Sequence, residues 1–467
     1  MELTIEKLVY GGDGLSRLPP DENGRGKAVF VPFVLEGERI EAILLQQKAG
    51  FARARVNNIF ESSARRVEPK CPYFARCGGC HYQHSSYDHQ LEIKASILKE
   101  NLRRIAKVEL ATDLKVHPSP PWNYRNRTRL RIHTHPEFAF GYYRFGSHAL
   151  LPVEECPISS PLINRAIGVI WEMGRAGRIA ENIHEIELFT SAEDTRLLVG
   201  LYVAPPANDL DRDNVSSGSP RKRSIGNRSE SRPENARQSA TLSAYAIHGF
   251  ENLRAALPEI GGIAVFPVHS DASTNDSEPA PIEVTGEPSL IYETKHGSYR
   301  VSAGSFFQTN RFLTDELIGI VTSGCAGRTA LDLYAGVGLF STVLSREFER
   351  VIAVEGSQHS STDLAYNSGA NVKTIHATVE HYLTNVAGKL RPDLVVVDPP
   401  RGGLGEKVAR NVAAMVAPKL TYVSCDPATL ARDLVPLLAA GYRVQEAHLI
   451  DLFPQTFHLE SVIQMVR

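Results

Sequence analysis

The sequence has little of three features that would each indicate a class of protein. Lys and Arg number 51 against 53 Asp and Glu, and the net charge of −2 excludes a uniformly basic nucleic-acid-binding protein, so RNA would need a local basic patch. No apolar run reaches the length of about 18 residues that spans a membrane, and the start, MELTIEKLVYGG, lacks the pattern of a signal peptide. We therefore expect a cytoplasmic monomer that makes no membrane contact.

Cysteine is also scarce, with six in 467 residues, which is too few for a disulfide framework in a chain of this length. Cys71, Cys77 and Cys80 nevertheless lie close together, and Cys156 can add a fourth thiolate. Four thiolates suit either zinc or a [4Fe–4S] cluster, and the spacing alone does not decide between them. Three close cysteines with one remote partner favour iron–sulfur, because zinc sites commonly use two C-x2-C pairs.

The strand and helix patterns divide the chain into three predicted domains. Residues 1–62 carry short strand patterns with glycine turns, which indicate a small, OB-like β-barrel. Residues 63–300 are predicted to form a central α+β domain. It contains a predicted helix at 85–107, which could pack on this domain or on the C-terminal one. It also contains an insertion at 205–240 that we expect to be disordered, because it is poor in apolar residues. Residues 301–467 alternate strands with helices, as in a doubly wound, Rossmann-like sheet, so the predicted fold class is α/β plus β.

A line of four arginines in the central domain is a candidate RNA-binding surface. Arg125, Arg127, Arg129 and Arg131 alternate, so a β-strand would place all four on one face. No acidic residue lies between them in the sequence, which favours phosphate binding. A solvated strand face is the alternative interpretation.

The C-terminal domain has the features of a nucleoside-binding crevice. A predicted strand runs into Gly336-x-Gly338, where the missing side chains let a ligand approach the backbone. Glu355 ends the next strand and can accept hydrogen bonds from two ribose hydroxyls, and Asp398 ends a third strand. Ser341 stands where a dinucleotide site would have its third glycine, so S-adenosylmethionine is a better candidate than NAD.

Cys425 stands at the carboxyl end of a further strand, in the same predicted crevice. Asp426 and Pro427 suit the cap and the first residue of a helix, and a helix start favours a thiolate over a thiol. A thiolate beside a methyl donor can add to C6 of uracil, which turns C5 into a nucleophile. A base must then remove the C5 proton, and Glu460 is the candidate. A buried structural cysteine is the alternative.

Together these motifs resemble the bacterial RNA uracil-C5 methyltransferase family, and most closely its 23S rRNA branch with a TRAM domain and a [4Fe–4S] cluster. The resemblance covers nearly the whole chain outside the predicted insertion, and the set of motifs is specific. The motifs are SFFQTN (305–310), DLYAGVGLF (332–340), DPPRGG (398–403), SCDPATLARD (424–433), DLFPQTFHLESV (451–462), CPYFARCGGCHYQH (71–84) and VEECPI (153–158).

The resemblance implies a TRAM barrel, a central iron–sulfur domain and a methyltransferase domain that acts on a uridine of 23S rRNA. It also implies that Cys425 is the nucleophile and Glu460 the base. Phe306 resembles the aromatic that stacks on the flipped target base, with an ordinary core aromatic as the alternative. The implied contacts to S-adenosylmethionine are Gln308, Tyr334, Gly336, Glu355 and Asp398.

Three other functions stay open on the sequence. A tRNA uracil-C5 methyltransferase would use the same chemistry, although the predicted barrel and cluster point away from the shorter tRNA-acting relatives. A radical methylthiotransferase also pairs an iron–sulfur cluster with a TRAM barrel, but its C-x3-C-x2-C spacing differs and it gives Cys425 no role. A non-catalytic RNA-binding factor would bind RNA without needing either Cys425 or Glu460.

Overall fold

The computed structural model describes residues 1–19, 26–110, 113–204, 253–268, 279–386 and 388–467, so the predicted insertion at 205–240 lies outside the described residues. The first sheet, called the N-terminal sheet, has the strand order β1-β5-β6-β4-β3-β2 around its own apolar core. Its strands are Glu2–Thr4 (β1), Lys7–Leu8 (β2), Asp13–Arg17 (β3), Ala28–Pro32 (β4), Arg39–Gln47 (β5) and Phe51–Glu61 (β6). The strands therefore lie within the predicted first domain.

The next part of the chain forms a helical segment and a second sheet. The segment consists of Tyr87–Asn101 (α1), a π-helical turn at Leu102–Ala106 and Lys115–His117 (β7). The second sheet has the order β10-β9-β8-β11-β12-β13-β14, and one face packs on the helix Pro161–Arg175 (α2). Its strands are Arg127–His133 (β8), Ala139–Tyr143 (β9), Leu150–Pro152 (β10), Ile183–Thr190 (β11), Leu197–Val203 (β12), Ile260–Pro267 (β13) and Glu283–Gly286 (β14).

The third sheet is doubly wound, in the order β19-β18-β17-β20-β21-β23-β22-β7, and β23 runs antiparallel to both of its neighbours. Adjacent core residues such as Ala330 and Leu331 belong to apolar clusters on opposite faces, as expected for a sheet covered on both sides. Its elements, after the hairpin Ser289–Thr294 (β15) and Gly297–Ser302 (β16), are Thr314–Thr322 (α3), Gly327–Leu333 (β17), Ser341–Leu344 (α4), Phe348–Glu355 (β18), Gln358–Asn367 (α5), Val372–His376 (β19), Val379–Val386 (α6), Leu394–Val397 (β20), Gly405–Ala413 (α7), Lys419–Ser424 (β21), Pro427–Ala439 (α8), Arg443–Ile450 (β22) and Glu460–Val466 (β23).

The helix α1 and the strand β7 belong spatially to the third sheet. The strand β7 pairs in parallel with β22, and Ile97 and Leu98 of α1 are part of the core that contains Leu331. The predicted boundary of a central domain at residues 63–300 therefore differs from the structure. The sequence could not place this segment, because its apolar face is compatible with any neighbouring core. Within the described residues, no helix is long and apolar enough to cross a membrane.

A buried ion pair fixes α1 to the third sheet. The Nζ atom of Lys94 lies 2.6 Å from Oδ1 of Asp451, and both side chains are 0% exposed. Lys94 also donates to the carbonyl oxygen of Phe453 at 2.9 Å, and the Tyr87 hydroxyl donates to Asp451 at 3.0 Å. Every charge in this junction is therefore hydrogen-bonded, which is the condition under which a buried pair is tolerated.

We expect Lys94→Met to destabilise the protein by about 3–5 kcal/mol, because Asp451 would stay buried without its counter-ion. Thermal unfolding followed by circular dichroism would measure the loss. Lys7→Met is the matched control: Lys7 pairs with Glu100 at 2.5 Å, but these side chains are 37% and 22% exposed, so about 0–1 kcal/mol is expected. Equal effects of the two substitutions would contradict this account of the junction.

Candidate active site

The carboxyl ends of β17, β18, β20 and β21 meet in one crevice of the third sheet. The strand β17 lies between β18 and β20, so the chain leaves it towards one edge and later returns to its other side. A crevice at such a reversal of strand order is the usual ligand site of an open α/β sheet. Tyr334, Gly336, Glu355, Asp398 and Cys425 lie at or just after these strand ends, whereas Glu460 begins the antiparallel β23 and Gln308 lies between β16 and α3.

The glycine turn after β17 is held by the predicted ribose-binding acid. The backbone N–H of Gly336 donates to Oε2 of Glu355 at 2.8 Å, and the other carboxylate oxygen accepts from the backbone of Ser357 at 2.7 Å. Gly338 has a φ of +94°, and an added Cβ would lie 2.9 Å from the side chain of Leu364, so glycine is required there. Tyr334 also has a positive φ, of +62°. A ligand could therefore approach the backbone of this turn closely. Each Glu355 oxygen already accepts one bond and has the capacity to accept another.

Two buried carboxyl groups lie beside this turn. Burial raises the pKa of Asp332 to about 7, although the Ser341 hydroxyl donates to one of its oxygens. Burial and the charges of Asp332 and Glu355 raise the pKa of Asp398 to about 7 as well. The Oδ1 atom of Asp332 is buried and has no hydrogen-bond partner among the described residues. Polar groups of this kind fit a site that takes a polar, positively charged ligand.

Cys425 and Glu460 lie next to each other at the end of β21. Ser424 pairs with Ser461 across the antiparallel strands β21 and β23, which brings Cys425, one residue later, beside Glu460, one residue earlier. Glu460 is 5% exposed, and Cys425 is half-buried. Burial and the charge of Asp398 raise the pKa of Glu460 well above its ordinary value. The predicted nucleophile and the predicted base therefore share one pocket wall.

The predicted helix start after Cys425 is confirmed, but its predicted effect on the thiol is wrong. Asp426 caps α8 and accepts from the backbone N–H groups of Ala428 and Thr429, both at 2.9 Å, while Pro427 is the first helical residue. Burial and the charges of Glu460 and Asp398 raise the pKa of Cys425 to about 12. Two first-turn N–H groups are occupied by the cap, and burial and the neighbouring acids outweigh the effect of the helix start on the thiol.

The alkylation rate of Cys425 in the free protein should therefore rise about tenfold per pH unit from about pH 7 to about pH 9, because only the thiolate reacts. An ordinary thiol would begin to level off near a pKa of about 8.5. Iodoacetamide labelling with mass spectrometry of the Cys425 peptide would measure this rate. Glu460→Gln should speed labelling at every pH at which the Glu460 carboxyl is ionised, because it removes a negative charge that raises the pKa of Cys425. A rate that levels off between about pH 8 and pH 9, as for an ordinary thiol, would contradict the raised pKa.

Arg401 is the cation that faces the two reactive groups. Its charge opposes the rise in pKa of both Cys425 and Glu460. The Arg401 guanidinium lies 3.5 Å from Nε2 of His458, whose pKa is lowered to about 3 by burial and by that arginine, so the imidazole is neutral. Asp433 holds the loop that carries Arg401, because its side chain accepts from the backbone N–H of Leu404 in that loop at 2.6 Å.

Phe306 is exposed rather than packed in a core. Its side chain is 64% exposed, whereas the neighbouring Phe307 is 3% exposed, so the core alternative for Phe306 is wrong. Asp363 holds this segment by accepting from the Ser305 hydroxyl at 2.6 Å. Gln308 is buried, and its backbone carbonyl oxygen accepts from the side-chain amide of Asn126 at 3.1 Å. The segment is thus rigid while one aromatic ring faces solvent.

The alternating arginines have carboxylate partners on the neighbouring strand. Arg127 and Arg129 lie 2.6 and 3.0 Å from oxygens of Glu187, and Arg131 lies 2.8 Å from Glu185. Arg125 precedes β8 and lines the cavity formed by the cysteines instead. Carboxylates this close compensate much of the positive charge. Phosphate binding by these arginines stays a prediction.

The four predicted cluster ligands line one cavity. Cys71, Cys77, Cys80 and Cys156 contribute to a cavity of about 30 Å³. The backbone N–H of Gly79 points at Sγ of Cys77 at 3.4 Å. Among the described residues, however, no group of three or more His, Cys, Asp or Glu side chains is arranged to hold a single metal ion.

Sequence reasoning missed three residues that build the site: Tyr10, Asp363 and Asp433. The hydroxyl of Tyr10, from the N-terminal sheet, donates to the carbonyl oxygen of Cys425 at 2.9 Å. Asp363 and Asp433 hold the segments that carry Phe306 and Arg401. Asp433 falls within a recognised motif, but no local pattern indicates a contact between residues 10 and 425.

Comparison with known proteins agrees with this architecture. A family model described as tRNA (Uracil-5-)-methyltransferase matches residues 287–467. An uncharacterized RNA methyltransferase of Aquifex aeolicus is 31% identical over 470 residues, covering 99% of this chain and 97% of the relative. One of Halalkalibacterium halodurans is 30% identical over 481 residues, covering 99% and 96%.

A solved structure shares the fold over the full length of both chains. It is the Pyrococcus abyssi tRNA (uracil-54, C5)-methyltransferase in complex with S-adenosyl-L-homocysteine, with a TM-score of 0.70, 23% identity and 100% coverage of each chain. The family match and the full-length relatives identify the class of protein to which this doubly wound sheet and crevice belong as the methyltransferases. From its full-length relatives and the family match, the chain belongs to the RNA uracil-C5 methyltransferase family.

Proposed function

We propose that this chain transfers a methyl group to C5 of a uridine in 23S rRNA through a covalent bond between Cys425 and C6 of the base. The observation that carries the proposal is the pairing of a half-buried thiol with a buried carboxyl group at the end of β21, within the crevice of the glycine turn. A buried structural cysteine would need neither an acidic neighbour of raised pKa nor a facing arginine.

The raised pKa of Glu460 suits the last step of this reaction, whereas the raised pKa of Cys425 means that the thiol must be deprotonated for the first. Cys425 reacts as a thiolate, after its proton is released to solvent, and its addition to C6 gives an enolate with nucleophilic character at C5. C5 would then take the methyl group of S-adenosylmethionine, which leaves as S-adenosylhomocysteine. Glu460 takes the C5 proton from the methylated adduct, so that the C6–sulfur bond breaks and the thiolate leaves; a carboxylate of raised pKa is a stronger base for that proton transfer. The positive charge of Arg401 favours the ionised forms of both Cys425 and Glu460.

The glycine turn would hold the methyl donor. Bound S-adenosylmethionine supplies an electrophilic methyl group. Glu355 would accept from the ribose hydroxyls, and the turn at Tyr334 and Gly336 would leave the backbone open to the nucleoside. We also assign Gln308 and Asp398 to this site, and Phe306 to stacking on the flipped base, because its exposed ring offers a π-face.

We further propose that the cavity of the four cysteines holds a [4Fe–4S] cluster in a central domain that supports RNA binding. Four thiols that line one cavity match the number of ligands that such a cluster takes. Anaerobically purified protein should contain iron and sulfide and absorb visible light. Cys80→Ala should lose both, whereas Cys325→Ala should keep them; colourless, iron-free wild-type protein would contradict this assignment.

A tRNA is the second candidate substrate. The Pyrococcus abyssi enzyme is named as a tRNA methyltransferase and matches this chain over its full length. The length of this chain is therefore no argument against a tRNA substrate. The 23S rRNA assignment, together with the assignment of the N-terminal sheet as a TRAM domain, rests on the sequence motifs.

The substrate can be decided by incubating the protein and S-adenosylmethionine with unmodified 23S rRNA and, separately, with unmodified tRNA. Nucleoside mass spectrometry should detect 5-methyluridine in the rRNA alone, without any added reductant. Product in tRNA alone would reassign the substrate. A requirement for a strong reductant would favour the radical enzyme, and no product in either RNA would favour a non-catalytic RNA-binding protein.

A further inference from the structure

The N-terminal sheet contributes a side chain to the candidate active site. Tyr10 lies in the loop between β2 and β3, and its hydroxyl donates to the carbonyl oxygen of Cys425 at 2.9 Å. Burial and the charges of Asp426 and Cys425 raise the pKa of Tyr10 well above its ordinary value. The phenol is therefore a neutral hydrogen-bond donor throughout the working pH range.

The ring of Tyr10 is fixed in place by two further parts of the chain. It meets the ring of Phe457 edge-on, with 5.4 Å between the centroids, and His81 packs against the same Phe457 at 4.6 Å. Gly12, two residues after Tyr10, has a φ of +92°, and a Cβ there would lie 3.0 Å from His81. The loop that carries Tyr10 and Gly12 therefore packs against His81, which follows Cys80, and against Phe457, which precedes Glu460.

The hydrogen bond from Tyr10 holds the backbone carbonyl of Cys425, and the orientation of this backbone sets the direction of the Cys425 side chain. Cys425 lies between the last residue of β21 and the cap of α8, so its peptide belongs to neither element. The carbonyl of Ser424 is held on one side by the Ser461 hydroxyl at 3.2 Å, and the Asp426 side chain is held on the other by the helix. The bond from Tyr10 fixes the peptide between them.

We propose that Tyr10 is a positioning residue for methyl transfer, and that the N-terminal sheet completes the active site by fixing the Cys425 peptide through this hydroxyl. The inference rests on the proposed covalent mechanism. A nucleophile must lie close to its attack geometry, and small misplacements slow such reactions strongly. Loss of the hydroxyl should therefore slow adduct formation without weakening the binding of RNA or of S-adenosylmethionine.

Tyr10→Phe tests the proposal, because it keeps the ring packed on Phe457 and removes only the hydroxyl. The matched control is Tyr124→Phe: the Tyr124 hydroxyl donates to the carbonyl oxygen of Pro454 at 3.0 Å, which is also a long-range bond to the third sheet but does not reach the nucleophile. Each variant would be mixed with S-adenosylmethionine and with the RNA that the wild-type protein methylates, substituted with 5-fluorouridine. The covalent adduct, the dissociation constants of both ligands and the unfolding temperature would be measured.

Tyr10→Phe should form the adduct about 10-fold to 100-fold more slowly, with unchanged dissociation constants, while Tyr124→Phe keeps the wild-type rate. Equal rates in Tyr10→Phe and the wild-type protein would overturn the inference and leave the proposed function intact. Equal slowing in both variants would also overturn it, because the effect would then be one of general stability. Absence of an adduct in the wild-type protein would overturn the covalent mechanism and the inference together.

Discussion

Cys425→Ala should abolish 5-methyluridine formation, with a loss on the order of 10⁴-fold or more, because the substitution removes the sulfur that forms the proposed bond to C6. Multiple-turnover methylation of RNA, read by nucleoside mass spectrometry, measures this loss. The binding of S-adenosylmethionine should be unchanged, since the glycine turn and Glu355 lie on other strands of the crevice.

Cys325→Ala is the matched control for the loss of a cysteine. Cys325 is buried two residues before β17 begins at Gly327, at the end of the sheet opposite the crevice. This variant should methylate RNA at the wild-type rate. If Cys425→Ala retained more than a small fraction of wild-type activity, the covalent mechanism would be wrong.

Glu460→Gln should separate the two chemical steps. The amide cannot take the C5 proton, so turnover should fall by about 10²–10⁴-fold. The bond between Cys425 and C6 can still form, because it does not depend on that base. Denaturing electrophoresis with ordinary, unsubstituted RNA should therefore show a protein–RNA adduct that accumulates in this variant and not in the wild-type protein.

An exposed glutamate on the same sheet provides the control for Glu460→Gln. Glu349 lies on β18 with its side chain exposed, and Glu349→Gln should turn over normally without an adduct. Full turnover by Glu460→Gln would assign the proton to another base. Slow turnover without an adduct would place Glu460 before bond formation rather than after it.

Local patterns in the sequence predicted the features that depend on neighbouring residues. Asp426 and Pro427 begin a helix because a capping side chain and a pre-set φ act within one turn. The strand endings at Glu355 and Asp398 were predictable for the same reason, and parallel strand ends must share one edge of the sheet. The crevice, and the presence of Cys425 in it, could thus be predicted before the fold was known, while the chemical roles of Cys425 and Glu460 stay predictions.

The features that the sequence did not predict depend on distant residues. The pKa of Cys425 is raised partly by Glu460 and Asp398, which come from two other strands. The arginines of β8 meet Glu185 and Glu187 of β11, more than 50 residues away along the chain. No rule of spacing reports these pairings, because only the tertiary fold sets them.

The helix α1 and Tyr10 show the same limit for packing. A lysine such as Lys94 is normally exposed, so nothing in the helical pattern indicates that it is buried against Asp451. Tyr10 follows a strand of two residues and has no local partner, yet it reaches the nucleophile from 415 positions away. Contacts between domains follow from shape and burial, which the sequence pattern does not contain.

The covalent intermediate is the most direct test of the central claim. The wild-type protein would be mixed with S-adenosylmethionine and RNA carrying 5-fluorouridine, because fluorine at C5 cannot leave as a cation and the bond to sulfur persists. The account predicts a protein–RNA band that survives denaturing electrophoresis, is absent in Cys425→Ala and maps by mass spectrometry to Cys425. A methylated product without any such band, or a band attached to another residue, would contradict it.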